Sequence, residues 1–169
     1  MRRLAPEPLS AEAYVPFGDV LSADRADVAA KPANQGTAAR RDHLVDVISR
    51  RPAAALNVCS FRCAPREAWP LPVALLERHP LSTQVFVPMN ARRYLVVVAL
   101  GGDAPDLGTA RAFVATGAQG VSYRPGVWHH PMIALDAPID FICLVWEDGT
   151  PADCAVAPLP EGALAVTLP

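Results

Sequence analysis

The stretch Gly120-Val-Ser-Tyr-Arg-Pro-Gly-Val-Trp-His-His-Pro131 combines turn residues, an aromatic residue and two adjacent histidines. Its centre, Arg124-Pro125-Gly126-Val127, has Pro and Gly at the two middle positions of a β-turn, where Gly accepts the positive φ of a type II turn. Apolar residues flank this turn, so the sequence predicts a tight hairpin between two strands. Because side chains alternate along a strand, we expect His129 on one face and Trp128 and His130 on the other. One histidine would therefore point into the interior that the sheet encloses.

Short strands separated by turn residues predict an all-β fold. The 169 residues include 18 prolines and 10 glycines, and no long helical period interrupts the alternating segments. Tyr94–Leu100 is a continuous apolar run, typical of a strand buried on both faces. Such spacing favours a closed β-barrel or a double-sheet jelly roll over an α/β fold. The predicted strands are Leu56–Cys63, Leu71–His79, Thr83–Val87, Tyr94–Leu100, Arg111–Ala115 and Ile139–Glu147.

Outside this β region the sequence predicts only one or two short peripheral helices and irregular chain. Ser10 can cap a short helix that Gly18 ends, and a short strand follows at Val20–Ser22. Residues 24–41 have no apolar period and predict a long loop. The expected single domain, residues 1–169, has three parts: a helix and loop extension at 1–50, a barrel at 55–147 and an irregular C-terminal tail at 148–169.

Composition argues against several classes of partner. The 15 Lys and Arg and 17 Asp and Glu give a net charge of −2 without a basic stripe, so we expect no nucleic acid. The longest apolar run is far shorter than the roughly 20 residues that span a bilayer, so we expect no membrane. No CxxC pair is present, and Cys59 and Cys63 would lie about 13 Å apart on a strand. Reduced thiols and the lack of a secretory signal indicate a cytoplasmic protein.

Polar residues at inward positions indicate a site. Glu77 and His79 are two residues apart and share a strand face, and a short turn returns Gln84 beside them. His129 comes from the other predicted hairpin. Carboxylate, imidazole and amide groups are ligand types for a divalent ion. The alternative is that Glu77 is exposed and that His79 only bonds a backbone carbonyl.

Two motifs resemble those of the cupin superfamily. Gly120-(four residues)-Pro125-Gly126-(two residues)-His129 resembles the second cupin motif, which ends in a metal-binding His. Glu77-x-His79-(four residues)-Gln84 is similar to the first motif, but Glu77 replaces its first His and the uncharged Gln84 replaces its final Glu.

The stretch Leu76–Met89 resembles the signature of ureidoglycolate lyases, also called ureidoglycolate hydrolases. The segments that fit the same family in order are Glu12–Val20, Tyr94–Ala99, Pro105–Leu107, Arg111–Phe113 and Gly120–Pro131. The resemblance implies a cupin-type β-barrel, usually a homodimer, that splits (S)-ureidoglycolate into glyoxylate and urea late in allantoin (purine) degradation. It also implies a divalent metal, with nickel reported for the family, and no organic cofactor.

The reaction suits these side chains. Collapse of ureidoglycolate removes a hydroxyl proton and protonates the departing nitrogen, and histidine transfers protons best near neutrality. We expect the metal or polar cluster to consist of Glu77, His79, Gln84 and His129. For catalysis the candidates are His79, His129, His130 and Glu77, with His130 or Glu77 as the proton carrier. For the substrate we expect Arg62 or Arg40 on the carboxylate, with Gln84 and Trp128 at the pocket.

Two other functions fit the same fold. One is another metal-dependent cupin enzyme, such as an isomerase or oxygenase, against which the uncharged Gln84 argues. The other is a non-catalytic cupin that binds small carboxylates. Oxygen consumption with added iron would identify an oxygenase, and saturable binding without turnover would identify a binding protein.

Overall fold

The computed structural model describes residues 2–90 and 92–168, and strands dominate it. Met1 of the predicted extension and Pro169 of the predicted tail lie outside the described residues. Within them, no helix has the length and apolar character needed to cross a membrane. The strands are β1 (Arg2–Leu4), β2 (Glu7–Pro8), β3 (Val20–Leu21), β4 (Lys31–Ala33), β5 (Ala38–Arg40), β6 (Ala55–Cys63), β7 (Leu71–Pro72), β8 (Leu75–Arg78), β9 (Gln84–Pro88), β10 (Tyr94–Ala99), β11 (Arg111–Ala115), β12 (Gly120–Tyr123), β13 (Trp128–His129), β14 (Ile133–Ala134), β15 (Ile139–Glu147), β16 (Ala155–Pro158) and β17 (Leu164–Val166). The helical segments are α1 (Ala11–Tyr14) and the 3₁₀ turns Asn34–Gly36, Leu107–Thr109 and Pro151–Asp153.

Three sheets build the core. Sheet I has the order β16-β8-β13-β10-β11-β2, with β14 also on β10; sheet II has the order β3-β12-β9-β15-β6; and sheet III has the order β1-β17-β7. A first core cluster joins sheets I and II and includes Tyr94, Phe113, Tyr123 and Phe141. A second core cluster joins sheets I and III. Sheet I therefore has apolar clusters on both of its faces, and the predicted all-β class is confirmed.

The strand predicted to be buried on both faces is β10. Every residue of β10 is buried, because its alternate side chains belong to different clusters. Tyr94, Val96 and Val98 pack in the first cluster, whereas Leu95, Val97 and Ala99 pack in the second.

The turn at residues 124–127 forms as predicted, but the predicted hairpin is wrong. The Val127 N–H donates to the Arg124 carbonyl at 3.0 Å, and Gly126 has φ +89°. However, β12 pairs with β3 and β9 in sheet II, whereas β13 pairs with β10 and β8 in sheet I. The turn therefore carries the chain from one sheet to the other. Pro and Gly fix local dihedral angles, but burial against both sheets decides which strands pair.

The N-terminal region is partly as predicted. The Ser10 hydroxyl accepts from the Ala13 N–H at 3.1 Å and caps α1, and the rings of Tyr14 and Phe17 lie 5.9 Å apart. The long loop predicted over residues 24–41 is wrong in part, since β4 and β5 pair as a hairpin there. The apolar side chains of these strands are few, so no alternation marks them in the sequence.

Glycine is required at Gly18, where the helical segment meets sheet II. The Asp19 N–H donates to the Ser122 hydroxyl and the Ser122 N–H donates to the Asp19 carbonyl, both at 2.9 Å. A Cβ on Gly18 would lie 1.9 Å from the Ser122 carbonyl oxygen. Only a residue without a side chain allows this approach.

The prediction of an irregular tail at 148–169 is wrong. Strand β16 pairs antiparallel with β8, and β17 pairs with β1 in parallel and with β7 in antiparallel orientation. Strands β2 and β3 of the predicted extension likewise join sheets I and II. Short strands of this kind are held by partners far away in sequence, which the local pattern does not reveal. The assignment of residues 1–169 to a single domain stays a prediction.

Candidate active and metal-binding site

Three potential metal ligands lie together beside the first core cluster. One ligand atom from each of Glu77, His79 and His129 lies within 4.8 Å of the other two. His129 on β13 is directly opposite Glu77 on β8, and directly opposed residues share a sheet face. His79 follows Glu77 by two residues and therefore projects to the same side. The structure thus brings together three of the four residues expected at the metal site.

The ring of His129 is held by stacking. His129 Nε2 lies 3.6 Å from Glu77 Oε1. The Tyr123 ring is almost parallel to His129, with centroids 3.9 Å apart and an interplanar angle of 2°. The His79 ring is inclined by 18° to His129 at a centroid distance of 5.7 Å. Two aromatic neighbours therefore restrict the orientation of His129.

Backbone carbonyls select the tautomer of both histidines. His79 Nδ1 lies 2.8 Å from the Asp153 carbonyl oxygen, and His129 Nδ1 lies 3.0 Å from that of Val127. A carbonyl only accepts, so in each neutral ring Nδ1 carries the proton and Nε2 has a free lone pair. His129 Nε2 is buried and has no hydrogen-bond partner among the described residues. A bound cation would supply that partner.

The charge states also suit a metal. Burial lowers the pKa of His79, and the nearby His129 ring adds to this effect. The His129 ring, when it is protonated at Nε2, lowers the pKa of Glu77, although burial opposes this effect. At neutral pH the cluster therefore presents an ionised carboxylate and a neutral His79, the forms that bind metals.

Gln84 points into the same interior. It is buried and lies directly opposite Tyr123 on β12 and Val145 on β15, both of which belong to the first core cluster. Opposed residues share a face, so the Gln84 side chain is on the side of sheet II from which Tyr123 contacts His129. Its Oε1 has no hydrogen-bond partner within the described residues. This buried amide oxygen is available as a further neutral donor.

Trp128 and His130 are on the other side of β13. The indole of Trp128 is in the second core cluster, where Nε1 donates to the Gly102 carbonyl at 3.2 Å. The His130 N–H donates to the Val97 carbonyl at 2.9 Å, and burial lowers the pKa of its ring. The alternation of side chains is as predicted. Trp128 consequently packs in the core on the side of β13 away from His129, and its expected place at the substrate pocket stays a prediction.

The two arginines expected on the substrate carboxylate are not brought to the cluster. Arg62 is 79% exposed on β6 and makes two hydrogen bonds to Asp140, of 2.7 and 2.8 Å. Asp140 is directly opposite Arg62 and alternates with the inward Phe141, so both face outward. Arg40 lies exposed on β5 and pairs with Asp42 at 2.5 Å. Each guanidinium already has a local carboxylate partner, and the expected contact of these arginines with the substrate carboxylate stays a prediction.

Arg51 is a residue near the cluster for which the sequence carries no local signal. Its side chain is 14% exposed and forms ion pairs with Asp148 at 2.6 Å and with Asp153. Asp153 is also the residue whose carbonyl faces His79. Because about 100 residues separate Arg51 from these partners in sequence, only the fold reveals the contact.

Known proteins similar to this chain agree with one another. The family model described as ureidoglycolate lyase matches residues 1–166. A ureidoglycolate lyase of Pseudomonas syringae pv. syringae (strain B728a) is 43% identical over 144 residues, covering 84% of this chain and 82% of the relative. A ureidoglycolate lyase of Pseudomonas entomophila (strain L48) is 40% identical over 169 residues, covering 100% and 99%.

A solved structure supports the fold independently of sequence. The crystal structure of a dTDP sugar isomerase from Desulfovibrio desulfuricans G20 aligns with a TM-score of 0.50 and 16% identity over 88% of each chain. At that identity the likeness concerns the fold alone, and it supports the predicted cupin-type architecture. Independently of this structure, the family match over residues 1–166 and the relatives at 40–43% identity show that the chain belongs to the ureidoglycolate lyase family.

Proposed function

We propose that this chain is a ureidoglycolate lyase that splits (S)-ureidoglycolate into glyoxylate and urea late in allantoin degradation. The observation that carries the proposal is the cluster of Glu77, His79 and His129 within 4.8 Å, in a chain of this family. The cluster is partly open, since the Glu77 side chain is 26% exposed. A small hydroxy acid can therefore reach its charged member.

The reaction needs a proton transfer and no water. In ureidoglycolate one carbon carries a hydroxyl, a carboxylate and a ureido nitrogen. The hydroxyl O–H bond breaks, the oxygen forms a C=O double bond, and the C–N bond breaks with its electron pair going to nitrogen. A proton on that nitrogen completes urea. One side chain that accepts the hydroxyl proton and returns it to nitrogen balances the reaction.

Glu77 is the residue in the cluster best suited to move this proton. Its carboxylate is ionised at neutral pH and can accept the proton, although its lowered pKa makes it a weaker base, and it is more exposed than the buried His79 and His129. The hydrogen bonds from Nδ1 of both histidines to carbonyls keep their Nε2 atoms available to the cluster. The Nδ1 atom of His130, the other candidate proton carrier, lies 2.7 Å from the Pro131 carbonyl oxygen.

The donor set fits a divalent cation. Glu77, His79 and His129 would hold it, with Gln84 as a neutral fourth donor; imidazole donors suit nickel among other transition metals. A bound ion would supply Lewis-acid chemistry that favours ionisation of the substrate hydroxyl. The buried His129 Nε2, which has no hydrogen-bond partner within residues 2–90 and 92–168, supports this assignment.

We also propose that the chain is a cytoplasmic homodimer. Leu56, Val58 and Val87 are exposed apolar residues of sheet II, and the nine-residue β6 is its last strand with one edge unpaired in the described residues. Exposed apolar surface beside an open edge is suited to a second copy. Four free cysteines are in keeping with a reducing compartment.

Urea release from (S)-ureidoglycolate by wild-type and His129→Ala proteins tests the proposal. We expect at least a 100-fold loss of turnover in the variant, on the order of what a general acid–base group contributes. His43→Asn, which changes an exposed histidine outside the cluster, is the matched control and should retain full turnover. Unchanged turnover in folded His129→Ala would remove His129 from the mechanism. Iron-dependent oxygen consumption would instead identify an oxygenase.

A further inference from the structure

The backbone carbonyl of Asp153 contacts the site, and the side chain of Asp153 takes part in an ion pair. Its carbonyl oxygen lies 2.8 Å from His79 Nδ1. Its carboxylate accepts from the N–H groups of Asp148 at 3.1 Å and Gly149 at 2.8 Å, and it pairs with Arg51. The acceptor that orients the His79 ring therefore belongs to a residue whose side chain is itself fixed.

Arg51 bridges two carboxylates in a sheltered position. Its guanidinium contacts Asp148 at 2.6 Å and also Asp153, and the three side chains are 14%, 22% and 13% exposed. The ion pair of Arg62 with Asp140 is far more open. Exposed pairs contribute little because water screens them, whereas removing one partner of a sheltered pair leaves the remaining charges uncompensated. Loss of Arg51 would leave two neighbouring carboxylates to repel each other.

The ion pairs of Arg51 connect two chain segments, residues 49–51 and the loop 148–153, and each of them also contacts the chain at or next to His79. The Arg50 N–H donates to the Leu81 carbonyl at 2.8 Å, and Ser49 forms a β-bridge with Ser82. The segment that carries Arg51 is thus bound to the chain immediately after His79. Through its ion pairs it also holds the loop 148–153, whose carbonyl contacts the His79 ring.

We propose that Arg51 is a positioning residue for His79, acting through Asp153. By fixing the loop 148–153, it keeps the Asp153 carbonyl on Nδ1 of His79 and leaves Nε2 directed to Glu77 and His129. This inference rests on the proposed role of His79 in holding a metal. Without Arg51 the carbonyl moves, and His79 is free to populate both tautomers and other ring orientations.

Nickel affinity and the His79 tautomer test this role. Metal-free Arg51→Met, Arg51→Lys and wild-type proteins are titrated with nickel by calorimetry, and ¹⁵N-detected NMR reports which ring nitrogen of His79 carries the proton. We expect Arg51→Met to weaken nickel binding by about 10-fold, the lower end of the effect of losing a group that contacts a metal ligand directly, and to lose the single Nδ1–H tautomer. Arg51→Lys should recover part of the nickel affinity and part of the Nδ1–H tautomer population, because lysine keeps the positive charge but cannot bridge two carboxylates.

The control is Arg25→Met. Arg25 is 16% exposed and pairs with Asp27 at 2.5 Å, so its side chain matches that of Arg51 in burial, but it has one, more exposed carboxylate partner and does not contact Asp153. The Arg25→Met protein should bind nickel with an affinity within about twofold of that of wild type, as expected for a substitution away from the site. Folded Arg51→Met with wild-type nickel affinity and an unchanged His79 tautomer would overturn the proposal.

Two further outcomes are informative. If Arg51→Met does not fold, Asp153→Asn, which keeps the carbonyl but weakens the ion pair, should show the same loss, and wild-type behaviour would overturn the inference. If wild-type protein binds no nickel, the proposed metal site fails, and the tautomer of His79 in Arg51→Met then decides the positioning role alone.

Discussion

Replacing Glu77 by Gln separates the charge of the cluster from its shape. Gln has the same length, so the contact with His129, 3.6 Å from Oε1 to Nε2, is retained in form while the negative charge is lost. The two atoms are too far apart for a hydrogen bond, and a partly exposed charged contact of this kind contributes about 0–1 kcal/mol. In a chain of this length 1 kcal/mol corresponds to about 2–4 °C in Tm. The metal-free variant should therefore unfold no more than about 4 °C below wild type.

The effect on metal binding should be much larger. Loss of an outer partner that does not touch the ion already costs about 10–100-fold in affinity. Glu77 is the only charged donor among the three clustered ligands of the described chain, so we expect nickel affinity to fall by about 100-fold or more. Calorimetric titration gives the affinity, and circular dichroism in EDTA gives the Tm. Glu161→Gln, at an exposed acidic residue, is the control. Nickel affinity within threefold of wild type would refute the assignment of Glu77 as a ligand.

Other substitutions test the placement of single residues. Trp128→Phe should lower the free energy of unfolding by about 1–2 kcal/mol through lost packing and a lost hydrogen bond, and KM should not change. A KM altered more than about twofold would indicate that Trp128 contacts the substrate. Gly18→Ala should lower the free energy of unfolding, measured with denaturant, by about 1–3 kcal/mol or more, because its Cβ would lie 1.9 Å from a backbone oxygen of β12. The control is Gly102→Ala, whose Cβ meets open space and should leave stability unchanged. Arg62 lowers the pKa of Asp140 below its ordinary 3.8, so this pair stabilises above that pH and is lost as pH falls through the lowered value. Asp140→Asn should therefore weaken the acid dependence of stability, and an unchanged acid limb would contradict the pairing.

Local pattern predicts individual elements well where burial is strong. The run that forms β10 is apolar because clusters cover both of its faces, and β11 and β15 have the predicted bounds Arg111–Ala115 and Ile139–Glu147. Period-two alternation likewise places Glu77 and His79 on one face. In each case the order of residue types along the strand is enough to predict which side chains share a face.

The local sequence pattern does not predict which distant segments pair with each other. The turn before Trp128 has the expected dihedral angles, yet its strands belong to different sheets because pairing depends on partners elsewhere in the chain. Arg62 has an outward carboxylate opposite it, and Arg51 finds its partners about 100 residues away. Residue type alone therefore cannot distinguish an arginine that contacts a substrate from one that is already paired.

The products formed from (S)-ureidoglycolate test the central claim most directly. Urea, glyoxylate and ammonia are measured after incubation with purified protein, before and after EDTA treatment and reloading with nickel. We predict equimolar urea and glyoxylate without ammonia, and loss of turnover in the metal-stripped protein that nickel restores. Ammonia in place of urea, or saturable binding with no product in any metal state, would contradict the lyase assignment.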